Sequence, residues 1–388
     1  MKEKLPAIAK ARVSKTARRG APTWVKRDFT CAKRGPPGGI VTAIIFVAMM
    51  QPHLILDKSV LQMLNPRELF ELNVFFEMVG TPVLTNEILG DLEKPPGKNR
   101  LPHDVVKALA AKRWSSPMEP MHFRKAAHTN LMNVDIAMTG ATLLDLDAPH
   151  VTTGLGVSIN LAPLQHVWAR WAAGDFRPLD TNTARLIRMA LDGYDPAVIR
   201  QGWKPYTDKH FAACRTLAEL IPAVDELMST FSEPTQRVLL RITLGMLKTP
   251  DHIARFAFRL FNAGLIARVQ DYAPYAAFIT RLSLVYICGI TKELLRAGEH
   301  DVADMQYLFY APWCQVFASN DKLHRTLWPA VARHAKALFM WGDDLKKDLT
   351  ARAESRAQDP DRVAGCVPIR LPDSVVNAAC DYCNKVWP

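Results

Sequence analysis

A long helical stretch separates two short pieces of strand and helix alternation in this chain of 388 residues, and this division limits the fold more than any other feature. From about residue 103 to 298, apolar residues recur at spacings of three and four, and Pro or Gly separates the segments. Residues 51–93 and 301–341 instead alternate short apolar runs with helical periods, which is typical of a parallel α/β sheet. We therefore predict an α/β fold whose parallel sheet is built from both pieces, with a large all-helical insertion between them.

The first piece predicts two strands. Leu54–Leu56 form a short apolar run that ends at Asp57, and a helical stretch then covers residues 65–79. Pro82–Leu84 are predicted as the second strand, followed by a helix that carries Glu87 in its first turn.

The second piece repeats the alternation. The stretch "DVADMQYLFYAPWC" predicts a helix opened by Asp304, and "QVFASND" predicts a strand that ends at Asp321. We expect a further helix from about Thr326 to Trp341 and a last strand at "CVPIRLP", residues 366–372.

These elements divide the chain into five segments. They are a basic extension (1–50), a first part of the core (51–93), the helical insertion (94–300), a second part of the core (301–375) and a C-terminal tail (376–388). The insertion begins with "KPPGKNRLP", whose Pro, Gly and basic residues predict an exposed loop.

Most of the net charge of +11 lies in the basic extension. Residues 1–38 hold eleven Lys and Arg against Glu3 and Asp28, so the rest of the chain is close to neutral, which argues against a broad basic surface for nucleic acid. The extension is a phosphate-binding arm, a targeting sequence or a wrongly assigned start, since "MMQPHLILDKSVL" reads as a natural beginning at Met49 or Met50.

Seven cysteines are scattered along the chain, an odd number with no framework of spacings. This distribution suits a reducing compartment, and we expect a cytoplasmic protein. The apolar run of residues 40–50 is too short to cross a membrane, so we expect no membrane partner.

Four acids stand at strand ends or helix starts: Asp57, Glu87, Asp304 and Asp321. In a parallel sheet these positions share one edge, so the four are expected to converge although they are far apart in sequence. Close carboxylates repel by roughly 4 kcal/mol per pair at an effective dielectric near 20, so such a group needs a cation or raised pKa values. Oxygen ligands favour Mg²⁺ or Mn²⁺ over Zn²⁺.

The motifs around these acids resemble those of the PIN-domain nucleases. In that family, a first strand ends in Asp followed by a hydroxyl residue, as in "LILDKSVL", and an early helix carries a Glu, as in "VLTNEIL". A later Asp begins a helix that leads to a strand ending in Ser or Thr, any residue, Asp, as in "DMQYLFYAPWCQVFASND". The resemblance covers about a fifth of the chain, and Lys58 and the long insertion depart from the pattern.

This resemblance implies a PIN-like core and phosphodiester hydrolysis that depends on Mg²⁺ or Mn²⁺, with RNA as the favoured substrate. The four acids would be the catalytic and metal-binding residues. Ser59 and Ser319 would orient carboxylates or bound water. Asp301 competes with Asp304 for the third position, and spacing favours Asp304.

Basic residues near these motifs are candidates for contacts with substrate phosphates. Lys322, His324 and Arg325 follow the later strand directly. Lys94, Lys98 and Arg100 on the predicted loop are second candidates.

Two other functions remain open. In the first, the protein is a non-catalytic PIN-like or helical interaction protein whose acids are structural, with a protein partner or a second copy of the chain on the helical lobe. The other, a phosphatase-type hydrolase, is disfavoured because Ser59 stands where such enzymes need a second Asp after Asp57.

Overall fold

A computed structural model describes nine stretches of the chain and thereby most of the two core pieces and the helical lobe. The described residues are 51–96, 101–113, 119–143, 150–153, 156–159, 162–192, 195–298, 301–358 and 368–387. The basic extension lies outside these residues, as do Lys98 and Arg100.

Six strands and seventeen helices are found in the described residues. The strands are β1 (His53–Leu56), β2 (Glu77–Val79), β3 (His150–Thr153), β4 (Gly156–Ile159), β5 (Val316–Ser319) and β6 (Leu338–Trp341). The helices of the first half are α1 (Lys58–Met63), α2 (Pro66–Phe75), α3 (Pro82–Gly90), α4 (Pro102–Arg113), α5 (Phe123–Leu131), α6 (Ala162–Ala173), α7 (Pro178–Asp192) and α8 (Pro196–Phe211). Those of the second half are α9 (Leu217–Ser229), α10 (Glu233–Met246), α11 (Asp251–Asn262), α12 (Val269–Tyr272), α13 (Pro274–Thr291), α14 (Asp301–Leu308), α15 (Lys322–Ala332), α16 (Gly342–Ala357) and α17 (Val375–Val386).

The core of the fold is a four-stranded parallel sheet with strand order β2, β1, β5, β6. β1 and β5 lie side by side at its centre in the register Leu54 to Val316 and Leu56 to Ala318. These strands are short apolar runs buried on both faces, as expected for a parallel sheet covered by helices. The predicted joining of two sequence-distant pieces into one parallel sheet is therefore confirmed, in a protein that is mostly helical.

Helix α13 is the central element of the helical lobe. It has the length and hydropathy of a membrane span, but 78% of that stretch is buried inside the protein. It packs against α8, α9 and α5, and its side chains are continuous with the apolar core around the sheet. The lobe and the sheet therefore share one hydrophobic core.

The prediction of a second strand at Pro82–Leu84 is wrong. These residues begin α3, because Thr81 caps the helix by accepting a hydrogen bond from the Leu84 N–H (3.2 Å) and Pro82 occupies the first helical position. The second strand is β2, which the sequence pattern had placed in a helix. Glu87 consequently lies in the second turn of α3.

The predicted helix from Thr326 to Trp341 is also wrong at both ends. The helix begins at Lys322 and ends at Ala332, and β6 then pairs with β5. A run of four apolar residues has too few positions for its period to separate strand from helix.

The C-terminal part differs from expectation as well. Residues 359–367 lie outside the described residues, and Pro368–Leu371 form no strand. The expected tail is helix α17, capped by Ser374 and packed on α16 and β6 through the buried Val376 and Ala379.

Candidate active site at the carboxyl edge of the sheet

Asp57 and Asp321 stand at the carboxyl ends of the two central strands. Asp57 directly follows β1, and its N–H donates to the Ala318 carbonyl of β5 (3.1 Å). Each Asp also caps the next helix: Asp57 accepts from the Val60 N–H (2.9 Å), and Asp321 accepts from the Leu323 N–H (2.6 Å). The local structural role of a helix cap is therefore present at both positions.

The Ser319 hydroxyl connects the two acids. Its Oγ contacts Asp57 Oδ2 and accepts a hydrogen bond from the Asp321 N–H (2.8 Å). The same Oγ lies 2.7 Å from His324 Nδ1. Ser59 also donates to the Asp57 carboxylate, at Oδ1 (2.7 Å). Both predicted hydroxyl residues thus contact Asp57, and both of its oxygens accept hydrogen bonds.

Glu87 approaches the edge from α3. Its Oε2 accepts a hydrogen bond from the Tyr307 hydroxyl (2.6 Å), and Tyr307 is fully buried on α14. Asp304 lies one turn before Tyr307 on the same helix. This contact packs α3 against α14 with Glu87 and Asp304 near each other.

Asp304 is the acid that the others surround. Burial raises the pKa of its carboxyl to about 9, and negative charges add to the increase from Asp321, Glu87, Asp301 and Asp57. Within the described residues, no hydrogen-bond donor and no cationic side chain contacts this carboxyl. At neutral pH the Asp304 carboxyl therefore holds its proton.

Asp301, the competitor of Asp304, has a different environment. It opens α14, so the expectation that Asp304 opens the helix is wrong, and Asp304 lies three residues further, still in the first turn. Asp301 Oδ2 accepts hydrogen bonds from the Tyr286 hydroxyl (2.9 Å) and the Gly298 N–H (2.8 Å). Asp301 therefore fixes the start of α14, whereas Asp304 faces the other acids.

His324 does not have the exposure that a phosphate contact needs. Its side chain is fully buried. Besides Ser319 Oγ, it contacts the Asp304 carbonyl through Nε2 (2.7 Å). Since a carbonyl only accepts, Nε2 carries a hydrogen, and His324 ties α14 to the end of β5. The expected phosphate contact of His324 is wrong.

The other predicted basic residues divide into exposed and paired ones. Lys322 and Arg325 are exposed on the first turn of α15. Lys94 is paired with Asp91 (2.8 Å), as is Lys58, the residue that departs from the family pattern (2.8 Å). Among the predicted basic residues that the structure describes, Lys322 and Arg325 are the exposed ones without a carboxylate partner.

The sequence pattern missed acids that follow β6. Asp343 and Asp344 lie in the first turn of α16 and are exposed, and Asp343 Oδ1 accepts from Asn320 Nδ2 (3.0 Å). Because β6 was predicted as the end of a helix, these acids did not appear at a strand end. The "WGDD" stretch after four apolar residues was the signal that would have placed them there.

The described residues contain no group of three or more His, Cys, Asp or Glu side chains that could hold a metal ion as they stand. The chemistry of the acids nevertheless fits a hard divalent cation, because the Asp304 carboxyl is buried among like charges without a donor. Asp304, Glu87 and Asp321 are the residues that would hold it, with Asp57 held beside them by its serine partners.

Comparisons of the chain with protein-family models, with curated proteins and with solved structures found no match. The functional argument therefore depends on the residues at this edge of the sheet.

Proposed function

We propose that the protein is a divalent-metal-dependent nuclease that hydrolyses phosphodiester bonds, with RNA as the favoured substrate. The observation that carries the proposal is the environment of Asp304. Its pKa of about 9 arises from burial and from surrounding carboxylates at the carboxyl edge of a parallel sheet. That edge is where α/β folds place their ligands.

The arrangement of the sheet supports a PIN-like core. Its central strands come from the two pieces of the chain that carry the family motifs, and the acids of these motifs lie along one edge. The long insertion between the pieces forms the helical lobe, and β1 and β5 are nevertheless neighbours in the sheet.

When bound, one or two Mg²⁺ or Mn²⁺ ions would supply an activated water and stabilise the leaving oxygen. The chain's own residues prepare the site. Ser59 and Ser319 hold the Asp57 carboxylate from its two oxygens, and Tyr307 holds Glu87. The Asp304 carboxyl would have to release its proton to solvent before it could serve as a ligand.

Lys322 and Arg325 would position the substrate. They are exposed in the first turn of α15, which begins directly after Asp321, so they would be the basic side chains beside a phosphate held by the acids. Arg325 also lies over the Trp341 ring (5.4 Å from its centroid), which fixes its guanidinium beside the sheet edge.

The free thiols of the described cysteines support a reducing, cytoplasmic location as part of this proposal. They are Cys214, Cys288, Cys314, Cys380 and Cys383.

A non-catalytic interaction protein is the second candidate, and one observation favours it. Asp57 and Asp321 both cap helices, and this structural role needs no metal. In this case Asp304 would stay protonated at all physiological pH values, and the helical lobe would carry the protein partner.

The test compares cleavage of labelled single-stranded RNA and DNA by the full chain with Mn²⁺, with Mg²⁺ and with EDTA. Asp304→Asn is the decisive variant, because Asn resembles the neutral carboxyl and should leave the metal-free fold intact. Asp208→Asn, at an exposed position of α8, is the matched control.

We expect metal-dependent cleavage by the unchanged chain and by Asp208→Asn, and a loss of at least a hundredfold in Asp304→Asn. Cleavage that persists in Asp304→Asn, or that survives EDTA, would contradict the proposed site. A folded chain that cleaves neither polymer with either metal would favour the interaction protein.

A further inference from the structure

Helices α10 and α11 form an antiparallel hairpin on the helical lobe. Arg237, near the start of α10, donates to Asn262 Oδ1 at the end of α11 (3.1 Å) and lies over the Phe261 ring (5.0 Å from its centroid). The inner side of the hairpin is buried through residues such as Leu240 and Ala257. Its outer side faces solvent.

The outer side of α11 combines basic residues with an exposed aromatic ring. His252, Arg255, Phe256 and Arg259 are all exposed, and their spacing places them on one face of the helix. Phe256 has 40% of its surface exposed. An exposed phenylalanine between two arginines has no role in core packing.

Helix α10 and the turn after it carry further exposed residues of the same kinds. Arg241 of α10 and Lys248 of the turn are exposed, and Val238 of α10 is 40% exposed. We call the exposed residues of both helices and of the turn between them the hairpin face: Val238, Arg241, Lys248, His252, Arg255, Phe256 and Arg259.

The hairpin carries a net positive charge. Residues 233–262 contain five Lys and Arg against two acids, Glu233 and Asp251, a net charge of +3. Residues 39–388 as a whole have a net charge of only +2, because the first 38 residues hold +9 of the total +11. The body outside the hairpin is therefore slightly acidic in total, although residues 94–113 form a second basic segment with a net charge of +5.

This charge is not neutralised within the described residues. Glu233 pairs with Arg237 (2.8 Å), which is outside the hairpin face. No carboxylate of the described residues pairs with Arg241, Arg255 or Arg259, and Arg255 instead donates to the Asp251 carbonyl (3.3 Å). Three arginines thus present guanidinium groups to solvent.

Helix α5 contacts the turn of the hairpin through His128. His128 Nε2 lies 3.2 Å from the Leu247 carbonyl oxygen. Burial lowers the pKa of His128, and this outweighs the hydrogen bond to Leu247, which raises it. His128 therefore ties α5 to the hairpin without adding positive charge at neutral pH.

We propose that the hairpin face binds single-stranded nucleic acid, with its arginines on the phosphates and Phe256 stacked on an unpaired base. Arginine matches phosphate geometry, and an aromatic ring offers a stacking surface to any base. A duplex would leave Phe256 without an accessible base face, and binding of an acidic protein is distinguished from nucleic-acid binding in the test below. This inference rests on the nucleic-acid substrate of the proposed function, and its test does not require cleavage.

The hairpin and the candidate site contact α13 at different positions. Thr243 of α10 accepts a hydrogen bond from Thr280 (3.0 Å), whereas Tyr286, further along α13, donates to Asp301 (2.9 Å). α13 is thus a common support for both. We expect changes on the hairpin face to weaken binding and to leave the cleavage step unchanged.

The experiment measures binding of a fluorescent 20-nucleotide single-stranded RNA to the full chain in EDTA, at several salt concentrations, in the Asp304→Asn background. The test variant is Arg241→Gln, Arg255→Gln, Arg259→Gln. The matched control, Lys204→Gln, Lys209→Gln, Arg215→Gln, removes the same charge from exposed positions on and just after α8. Residues 1–38 are the same in both, so the difference between the two variants reports the hairpin face.

We expect the test variant to lose at least about tenfold in affinity relative to the control. The slope of log affinity against log salt concentration should be smaller in magnitude by about 2, because three phosphate contacts on a single strand are lost. Phe256→Ala should lose at least about fivefold for single-stranded RNA and nothing for a duplex of the same sequence. Circular dichroism and thermal unfolding should be unchanged in each variant.

Equal affinity of the test and control variants would overturn the proposal. An equal loss of duplex and single-strand binding in Phe256→Ala would overturn it as well. Competition by polyglutamate that is as effective as competition by RNA would assign the face to an acidic protein instead. Loss of binding to phosphatidylserine vesicles with RNA binding unchanged would assign it to a lipid surface. RNA binding through the hairpin face without any cleavage by the unchanged chain would support this inference and contradict the nuclease proposal.

Discussion

The Ser319 hydroxyl contacts the Asp57 carboxylate although the two residues are separated by 262 positions in the sequence. The same oxygen bonds the backbone of Asp321 and the ring of His324. One buried hydroxyl thus joins both central strands to the helix that follows the second.

Replacing Ser319 by Ala should destabilise the protein. His324 Nδ1 and Asp57 Oδ2 would lose a partner in the interior, at a cost of about 2 to 4 kcal/mol in the free energy of unfolding. Ser59→Ala removes the other hydroxyl that donates to the Asp57 carboxylate. Because Ser59 is exposed, this change should lower the free energy of unfolding by less than about 1 kcal/mol. Urea unfolding of both variants checks this, and equal losses would mean that the Ser319 network contributes nothing beyond a single hydrogen bond.

The stability of the metal-free protein should fall as pH rises. The Asp304 pKa is about 9 in the folded state against an ordinary 3.8, so the folded state binds one more proton between these values. The stabilisation from this extra proton is fully present below about pH 4 and is lost as pH rises through 9. Between these values the free energy of unfolding falls by up to about 1.4 kcal/mol per pH unit. Thermal unfolding in EDTA between pH 5 and 8.5 measures it.

Asp304→Asn is the control for this pH dependence. The variant cannot ionise at position 304, so its stability should vary less with pH than that of the unchanged chain. Parallel curves for the two proteins would show that the Asp304 carboxyl is not the group responsible.

Binding of Mn²⁺ should release a proton at pH 7.5. The Asp304 carboxyl is protonated there and must ionise to become a ligand, so affinity should increase with pH up to about 9. Calorimetry in two buffers of different ionisation enthalpy counts the proton. Asp301→Asn should retain both binding and release, since that carboxylate is held by Tyr286 and Gly298. If proton release were lost in Asp301→Asn and kept in Asp304→Asn, Asp301 rather than Asp304 would be the carboxyl that ionises on metal binding.

The residues after β5 should separate into surface and interior roles. Lys322→Gln and Arg325→Gln should change the unfolding free energy by less than about 0.5 kcal/mol and weaken RNA binding. His324→Ala should cost about 2 to 4 kcal/mol, because it leaves Ser319 and the Asp304 carbonyl without their buried partner. Denaturant unfolding together with RNA binding tests the division, which fails if Lys322→Gln unfolds the chain as readily as His324→Ala.

The central strands were predictable because each is an apolar run ended by an acid. Leu54–Leu56 and Val316–Ala318 are as short as the outer strands, but the polar residues that follow them mark where each strand ends. Helices such as α11 and α13 were predictable for a similar reason, since their apolar period continues over three or more turns.

The outer strands were not predictable from local pattern. β2 has three residues and β6 has four, so their strand state is decided by pairing with β1 and β5. Tertiary pairing of this kind overrides a weak local preference.

The acids of the candidate site were predictable, but their partners were not. Asp57 and Asp321 follow recognisable strands, whereas Tyr307 meets Glu87 across 220 positions. His324 looked like a surface residue because its neighbours are Lys322 and Arg325. The structure shows that His324 lies on the side of α15 that faces the interior.

The pairing of β1 with β5 also has a consequence for synthesis of the protein. At 5 to 20 residues per second, the ribosome needs roughly 10 to 50 s to add the 262 residues between Asp57 and Ser319. During that interval β1 has no central neighbour, and the helical lobe is made first. A chain released before residue 316 would carry Asp57 and Glu87 but neither Asp321 nor the serine that joins them, so the candidate site assembles only in the last stage of translation.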